Sequence, residues 1–403
     1  MGEIGNIVIY IVMICAVLGA FAAIKNEESG LGKEFMTGLH SIGYIFIPVA
    51  GIMASIPYLS LLISKLCGPF FELLHADPSM AATSVIAVDM GGYHLAYALA
   101  QNKESWIMAM VTGTMAGATI VFSIPVGLSM LEKKDHKYMA LGIMSGILSI
   151  PFGVLVTSII LLINQPLIRG SIATNTESLY PIALSMGTLF GNLLPLIIFV
   201  SLLAFGLKII PNMMIRGFMV FGRLMDVAIK IILVFSIVEY FTGFFRKIMG
   251  KWGFDPIIAD KEDQFRALEI AGYIGVMLSG AFPMVYLIKK YFSGPLEKCG
   301  TKIGLETAGA AGLFATIANI LAMFRLVKDM RPKDKVINIA FAVCAAFLFG
   351  DHLAFTANFQ PNLVVPIMVG KLSGGIVAFI LATFLSVPIA EKLDLKTLPL
   401  ENA

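Results

Sequence analysis

The chain has 403 residues, 58% of them hydrophobic and 14% charged, with a net charge of +3. Soluble domains run at about 45–50% apolar and about 25% charged, so this composition excludes a soluble globular protein, and repeated apolar spans of about 20 residues predict an all-α polytopic membrane protein. Lys and Arg lie in the connections rather than on one face, which excludes a nucleic-acid partner, and Cys15, Cys67, Cys299 and Cys344 stand far apart with no CxxC pair, which excludes a zinc or disulfide framework.

The first apolar segment, residues 4–24, follows Glu3 with no basic flank and no small-residue cleavage site before Lys25, so a retained helix is expected. Residues 39–63 form a second span, kinked at Pro48 and Pro57. Glu72, His75 and Asp77 follow in a segment too short to cross, and are expected to face water. Residues 80–100 carry Asp89 inside an apolar run.

Residues 106–131 read as an uninterrupted span and 138–163 as one broken at Pro151. A polar stretch leads to a span over 181–210, then to an interfacial helix over 211–224 and a span over 228–244 that begins with an Asp226–Lys230 pair. After the polar loop 246–264 come spans at 265–290, 308–327 with Asn319, 336–359 with Asp351, and 362–388 before a polar tail holding Lys392 and Lys396. The expectation is about 9–11 transmembrane helices, two of them broken or re-entrant. It divides into a membrane repeat over 1–165, a linking span and amphipathic helix over 166–225, and a second repeat over 226–403.

Asp351 and His352 are the organising residues. An ionised Asp at the centre of a membrane helix costs about 2.5–3.5 kcal/mol on the insertion scale, and intramembrane ionisable groups line cavities or pathways. Asp89 is their counterpart, followed by Gly91 and Gly92, the residues a helix needs if it is to break and turn its free backbone groups toward a ligand. A polar turn at the membrane surface is the competing account of Asp89, and a tie between two helices that of Asp351 with His352. The 23 methionines suit adaptable packing, and no cofactor is expected.

Four short matches recur in one order. Gly68-Pro69 pairs with Gly294-Pro295, Ile86-Ala87 with Ile317-Ala318, the stretch from Gly117 to Ser123 with that from Gly350 to Thr356, and Gly142, Ser145 and Gly146 with Gly370, Ser373 and Gly374. Placing the Lys-rich loops on the cytoplasmic side makes the two repeats inverted, an architecture that binds substrate at discontinuous helices near the bilayer midplane. The basic loop 246–261 would then be external, against the charge rule.

Several ordered blocks carry a resemblance to a known family: Asp89-Met-Gly-Gly92, Thr119-Ile-Val-Phe-Ser-Ile-Pro-Val126, Lys335-Val-Ile-Asn338, Gly350-Asp-His-Leu353 and Val369-Gly-Lys-Leu372. Together they resemble the EutH-type ethanolamine permeases, over nearly the whole chain. The resemblance implies a multi-pass protein of the bacterial inner membrane that admits ethanolamine, with no enzymatic activity. It also implies roles for Asp89, Gly91, Gly92, Asp351 and His352, whereas His94 departs from the family pattern.

Ethanolamine is an alkylamine, a class with a reference pKa of about 10.4, so it is mostly a cation at neutral pH. A site for it must replace ammonium hydration with carboxylate, carbonyl or ring-face contacts. Asp89 or Asp351 would supply charge, Gly91-Gly92 free carbonyls, Tyr93 or Phe355 a ring face, and Asn319 or His352 a partner for the hydroxyl. Asn319 suits interhelical hydrogen bonding equally well.

The reading is facilitated diffusion, with ethanolamine and the lipid bilayer as partners and a homo-oligomer allowed. A proton- or Na+-coupled symporter is the alternative, and a membrane-embedded enzyme acting on lipid head groups is the alternative of another class.

Overall fold

The computed structural model describes residues 2–395; Lys396 of the tail and the side chains of Glu3 and Cys299 lie outside the described residues. The protein is all-α apart from one two-residue antiparallel pairing of Leu167–Ile168 with Tyr180–Pro181. Among the described residues, seven helices are long and apolar enough to cross a membrane: Gly5–Lys25, Gly30–Ala54, Lys103–Met130, Lys133–Asn164, Met186–Ile209, Ala267–Phe292 and Pro361–Leu385. With these spans the chain is a multi-pass membrane protein.

Burial divides these helices into two kinds. Within Gly5–Lys25 only 17% of the most apolar window is buried, whereas in Lys103–Met130 the share is 83%. The first helix therefore presents most of its apolar surface outward, and the second lies at the centre, packed on all sides by protein. Small residues permit the close central packing: a Cβ on Gly142 would meet Ile339 Cβ at 2.6 Å, and one on Gly374 would meet Cys344 Sγ at 2.9 Å.

Three predicted boundaries change. Pro48 lies inside Gly30–Ala54, and the chain interrupts at Ser55 before Ile56–Leu66, with Pro57 accepted in the first turn of that next helix. The interfacial helix and the span that were expected over 211–224 and 228–244 are one 32-residue helix, Pro211–Thr242, that carries the expected Lys230–Asp226 ion pair at 2.7 Å. Finally, the span expected over 336–359 is two helices, Pro332–Ala345 and Asp351–Phe359.

One buried ion pair joins residues far apart in sequence. Lys335 Nζ donates to Asp135 Oδ1 at 2.6 Å, with both side chains less than a tenth exposed. In the polar loop before Ala267, backbone N–H groups of Asp263 and Glu262 and the Arg266 guanidinium hold the Asp260 carboxyl below the usual carboxylate range.

Candidate functional site

The first wall is a helix break. The short helix Ser79–Thr83 ends, Ala87 is extended, and a single 3-10 turn, Val88–Met90, lifts Asp89 out of helical register. Gly91 follows at φ 93°, a left-handed conformation that glycine adopts without steric cost, and Gly92–Leu99 resumes the helix. Ala87 O accepts from the N–H groups of both Met90 and Gly92, at 3.1 and 3.0 Å.

The facing span is irregular too. Gly113–Gly117 and Thr119–Ser123 are π-helical turns, which loosen the backbone ladder and recur at functional sites. Gly117 has to be glycine, since a Cβ there would stand 2.5 Å from Ala87 Cα and Ile86 O.

The second wall is built differently. Pro332–Ala345 ends, Phe347 sits at φ 59°, and Asp351–Phe359 begins with the acid in its first turn. The non-helical link is held by a neighbouring break: Phe347 N–H donates to Thr316 O at 3.3 Å and Phe349 N–H to Ile317 O at 3.0 Å. That neighbour is the junction of Thr307–Ala318 with Ile320–Leu326, where Asn319 Oδ1 accepts the N–H of Leu321 at 2.9 Å. Asn319 therefore caps a helix with its side-chain oxygen. Its neighbour Ala318 packs its carbonyl against Gly350.

The two walls bring their charged groups together. Asp89 Oδ1 lies 3.8 Å from His352 Nε2, with Asp89 15% exposed and His352 3%. Asp351 is within electrostatic reach of Asp89 and forms no hydrogen bond or ion pair among the described residues. Asp89 Oδ1 and both ring nitrogens of His352 are buried without a hydrogen-bond partner. Orphaned buried polar atoms cost about 1–3 kcal/mol each, and buried ionisable groups of this kind are functional-site candidates. The gap bounded by Leu348, His352, Thr356 and Lys371 is too narrow for a water molecule.

Sequence reasoning missed Lys371. It is 1% exposed, and its Nζ donates to Thr114 O at 2.5 Å, inside the first π-helical turn. It is also within electrostatic reach of Asp89. The signal was available: Lys371 is an ionisable residue in the middle of the apolar span Pro361–Leu385, and it had been quoted only as part of a family block.

Tyr93 and Phe355 are fully buried in an aromatic cluster. Tyr93 lies 4.8 Å from Trp106, 5.4 Å from Phe355 and 5.5 Å from Phe359 between ring centroids, and its hydroxyl accepts from Gln360 Nε2 at 2.9 Å. Tyr93 meets Phe355 edge-on, and Phe355 stacks on Phe359 at 4.5 Å. His94 is buried with neither ring nitrogen hydrogen-bonded.

Glu72 and His75 are exposed as expected, but Asp77 is buried. Its carboxylate accepts the N–H groups of Ser79 and Gln101, each at 2.9 Å. Gln360 also holds the 165–182 connection over this end of the cluster: its amide accepts from Arg169 N–H at 2.9 Å and donates to Arg169 O at 3.1 Å, while the Arg169 guanidinium bonds Asn358 O. Among the described residues no three His, Cys, Asp or Glu side chains converge as a metal site requires.

The family described as "Ethanolamine utilisation protein, EutH" matches residues 4–385. The chain belongs to the EutH family. This EutH chain is 37% identical over 385 residues to the "Probable ethanolamine permease EutH" of Listeria monocytogenes, covering 95% of each chain. It is 35% identical to proteins of the same name from Salmonella typhimurium, with 98% of each chain covered, and Escherichia coli, with 95% of each. No solved structure shows significant similarity to this EutH chain.

Proposed function

We propose that the protein is a permease that passes protonated ethanolamine across the bacterial inner membrane by facilitated diffusion, and is not an enzyme. Ethanolamine is the substrate in the names of its relatives. The observation that carries the site is the unpartnered, buried carboxylate oxygen of Asp89 beside Asp351 where two helix breaks meet. A buried carboxylate oxygen left without a hydrogen-bond donor is what an ammonium needs in place of water. Asp89 and Asp351 bind the amine, Gly91 and Gly92 keep the first wall open in backbone terms, and His352 meets the hydroxyl.

The gap beside His352 is closed, and passage through it would take a movement of one broken segment relative to the other. Two halves, residues 1–165 and 226–403, related as an inverted repeat across the linking residues 166–225, would supply that motion. Equivalent contacts support the pairing of the halves. Gly117 packs on Ile86 and Ala87, and Gly350 packs on Ala318. The start of each broken segment is also tied to the start of the next helix by a carboxylate: Asp77 accepts from Gln101 N–H, and Asp334 accepts from Glu306 N–H at 3.0 Å.

The test is uptake of labelled ethanolamine into proteoliposomes at pH about 6 without an ion gradient, where the amine is almost wholly charged. Saturable entry that stops at equal concentrations inside and out is expected. Entry that begins only when a proton or Na+ gradient is imposed would replace facilitated diffusion with symport.

A further inference from the structure

A cavity of about 870 Å³ shares no lining residue with the two helix breaks. Its walls are the turn Lys133–Asp135 with the helix His136–Ile147, the end of Met186–Ile209, the start of Pro211–Thr242, and Val387–Leu395. These elements begin or end apolar spans, so the cavity sits at one surface of the membrane. The charge rule assigns the Lys-rich connection 133–137, and the cavity with it, to the cytoplasmic side.

The mouth of the cavity is cationic. Lys133, Lys134, Lys137, Lys208 and Arg216 line it together with His136, and no Asp or Glu among the described residues does. Lys134 is neutralised by Glu132 at 2.7 Å, and His136 Nε2 lies 3.3 Å from Leu131 O. Lys137 lies over the Tyr138 ring at 5.0 Å. Among the described residues, Lys133, Lys137, Lys208 and Arg216 have no ion-pair partner. Four like charges around one space repel one another, and a bound anion removes that repulsion.

The inner part of the cavity is apolar. Lys137, Ala140, Leu141 and Met144 are spaced i, i+3, i+4 and i+7, so one helix face runs from the charged mouth inward. Leu207, Met219 and Ile389 add apolar surface from the other walls. At 1.5 Å per residue, Met144 lies about 10 Å along the axis from Lys137, which exceeds the roughly 5–8 Å headgroup layer of one leaflet. A free anion would occupy the mouth and leave the apolar part empty. A phospholipid fills both, with its phosphate on the cations and its acyl chains below them.

We infer that this cavity binds an anionic phospholipid of the surrounding bilayer. Lys133, Lys137, Lys208 and Arg216 hold its phosphate, and Leu141, Met144 and Met219 receive the upper part of its acyl chains. A zwitterionic lipid is disfavoured, because its own ammonium is repelled by the same cations. The site is independent of the amine chemistry at Asp89 and Asp351.

The experiment titrates the purified full chain in detergent with cardiolipin, phosphatidylglycerol, phosphatidylethanolamine or inorganic phosphate. Binding is read by native mass spectrometry and by the shift in thermal unfolding. The proteins are the parent, Lys137→Gln/Lys208→Gln/Arg216→Gln, and a control, Lys251→Gln/Lys261→Gln, which neutralises two exposed lysines of the polar loop 246–264. Both anionic lipids should bind and stabilise the parent and the control, whereas phosphatidylethanolamine and phosphate at equal concentration should not. One Lys or Arg near the surface changes affinity for anionic lipid about fivefold, so the triple variant should bind about a hundredfold more weakly.

Equal binding of phosphatidylethanolamine would reduce the cavity to an apolar crevice, and equal stabilisation by phosphate would make it a site for a soluble anion; either overturns the inference. Unchanged lipid binding by the triple variant overturns it as well. Should that variant fail to fold, salt decides with the parent alone. Raising salt from about 0.1 to about 1 M shortens the screening length from about 10 to about 3 Å. Binding of the anionic lipids should then fall at least about tenfold, and binding that does not change overturns the inference.

Discussion

The two helix breaks that frame the site are built by different local chemistry. In the first half the turn falls on glycine: Gly91 takes the left-handed conformation, and Gly92 and Gly117 let backbones approach to about van der Waals contact or less. In the second half it falls on Phe347, a bulky residue at φ 59°, where a left-handed conformation costs about 1–2 kcal/mol. That cost is offset by neighbours. The Phe347 and Phe349 N–H groups bond to Thr316 and Ile317, and the Phe347 ring packs 6.0 Å from Phe122 and 5.8 Å from His352. One break is encoded locally and the other is imposed by its surroundings, and strain of the second kind concentrates at functional sites.

The largest expected effect tests whether the halves are equivalent in function. Asp89→Asn and Asp351→Asn should each lower ethanolamine uptake by about tenfold to a hundredfold, because hydrogen bonds to charged groups contribute about 1.5–3 kcal/mol. Uptake by correctly inserted protein measures this. Parental uptake in both variants would remove the proposed site, and a loss confined to one would show that a single half binds the amine.

Next in size, Asp135→Asn should cost about 3–5 kcal/mol of stability by leaving Lys335 buried and unpaired. Asp135→Asn/Lys335→Met should recover most of that loss in denaturant or thermal unfolding, since neither charge then remains.

The breaks themselves can be compared by smaller substitutions. Phe347→Ala removes a buried ring and should cost about 3–5 kcal/mol. Phe347→Gly should cost less than Phe347→Ala, the reverse of the usual order in which Gly is worse than Ala by about 0.5–1 kcal/mol. Gly91→Ala should cost about 1–3 kcal/mol, from the left-handed backbone and a Cβ placed 2.9 Å from Ile52 Cγ2. Melting temperatures of the three variants decide, and a normal Ala-over-Gly order at 347 would remove the argument that the second break is strained. Gly272→Ala, with nothing within 4 Å of the added Cβ, should be neutral to within about 0.5 kcal/mol and serves as the control.

How legible the site was follows from the same contrast. Asp89, Asp351 and His352 were readable because charge in an apolar span is expensive wherever it occurs, and the Gly91-Gly92 break was readable because glycine preference is local. The break at Phe347 was not, since nothing in that run disfavours a helix until Thr316 and Ile317 offer their carbonyls. Asp77 was misplaced because its burial depends on the Ser79 and Gln101 N–H groups and on Asn192, whose Oδ1 accepts the Asp77 N–H at 2.7 Å from 115 residues away. The cap that Asn319 Oδ1 makes on Leu321 N–H depends on where the helix restarts, which the residue type alone does not give.

By itself the sequence determined that this is an all-α membrane protein of the EutH type with acids inside apolar runs, because hydropathy, span length and the cost of buried charge are properties of short stretches of chain. Only the tertiary structure decided where the second break falls, that Asp89 meets His352 across the two walls, and that Lys371 hangs on the Thr114 carbonyl among them. Those outcomes depend on which distant backbone groups come within about 3 Å of one another, the range over which hydrogen bonds act, and residue order along the chain does not carry that information.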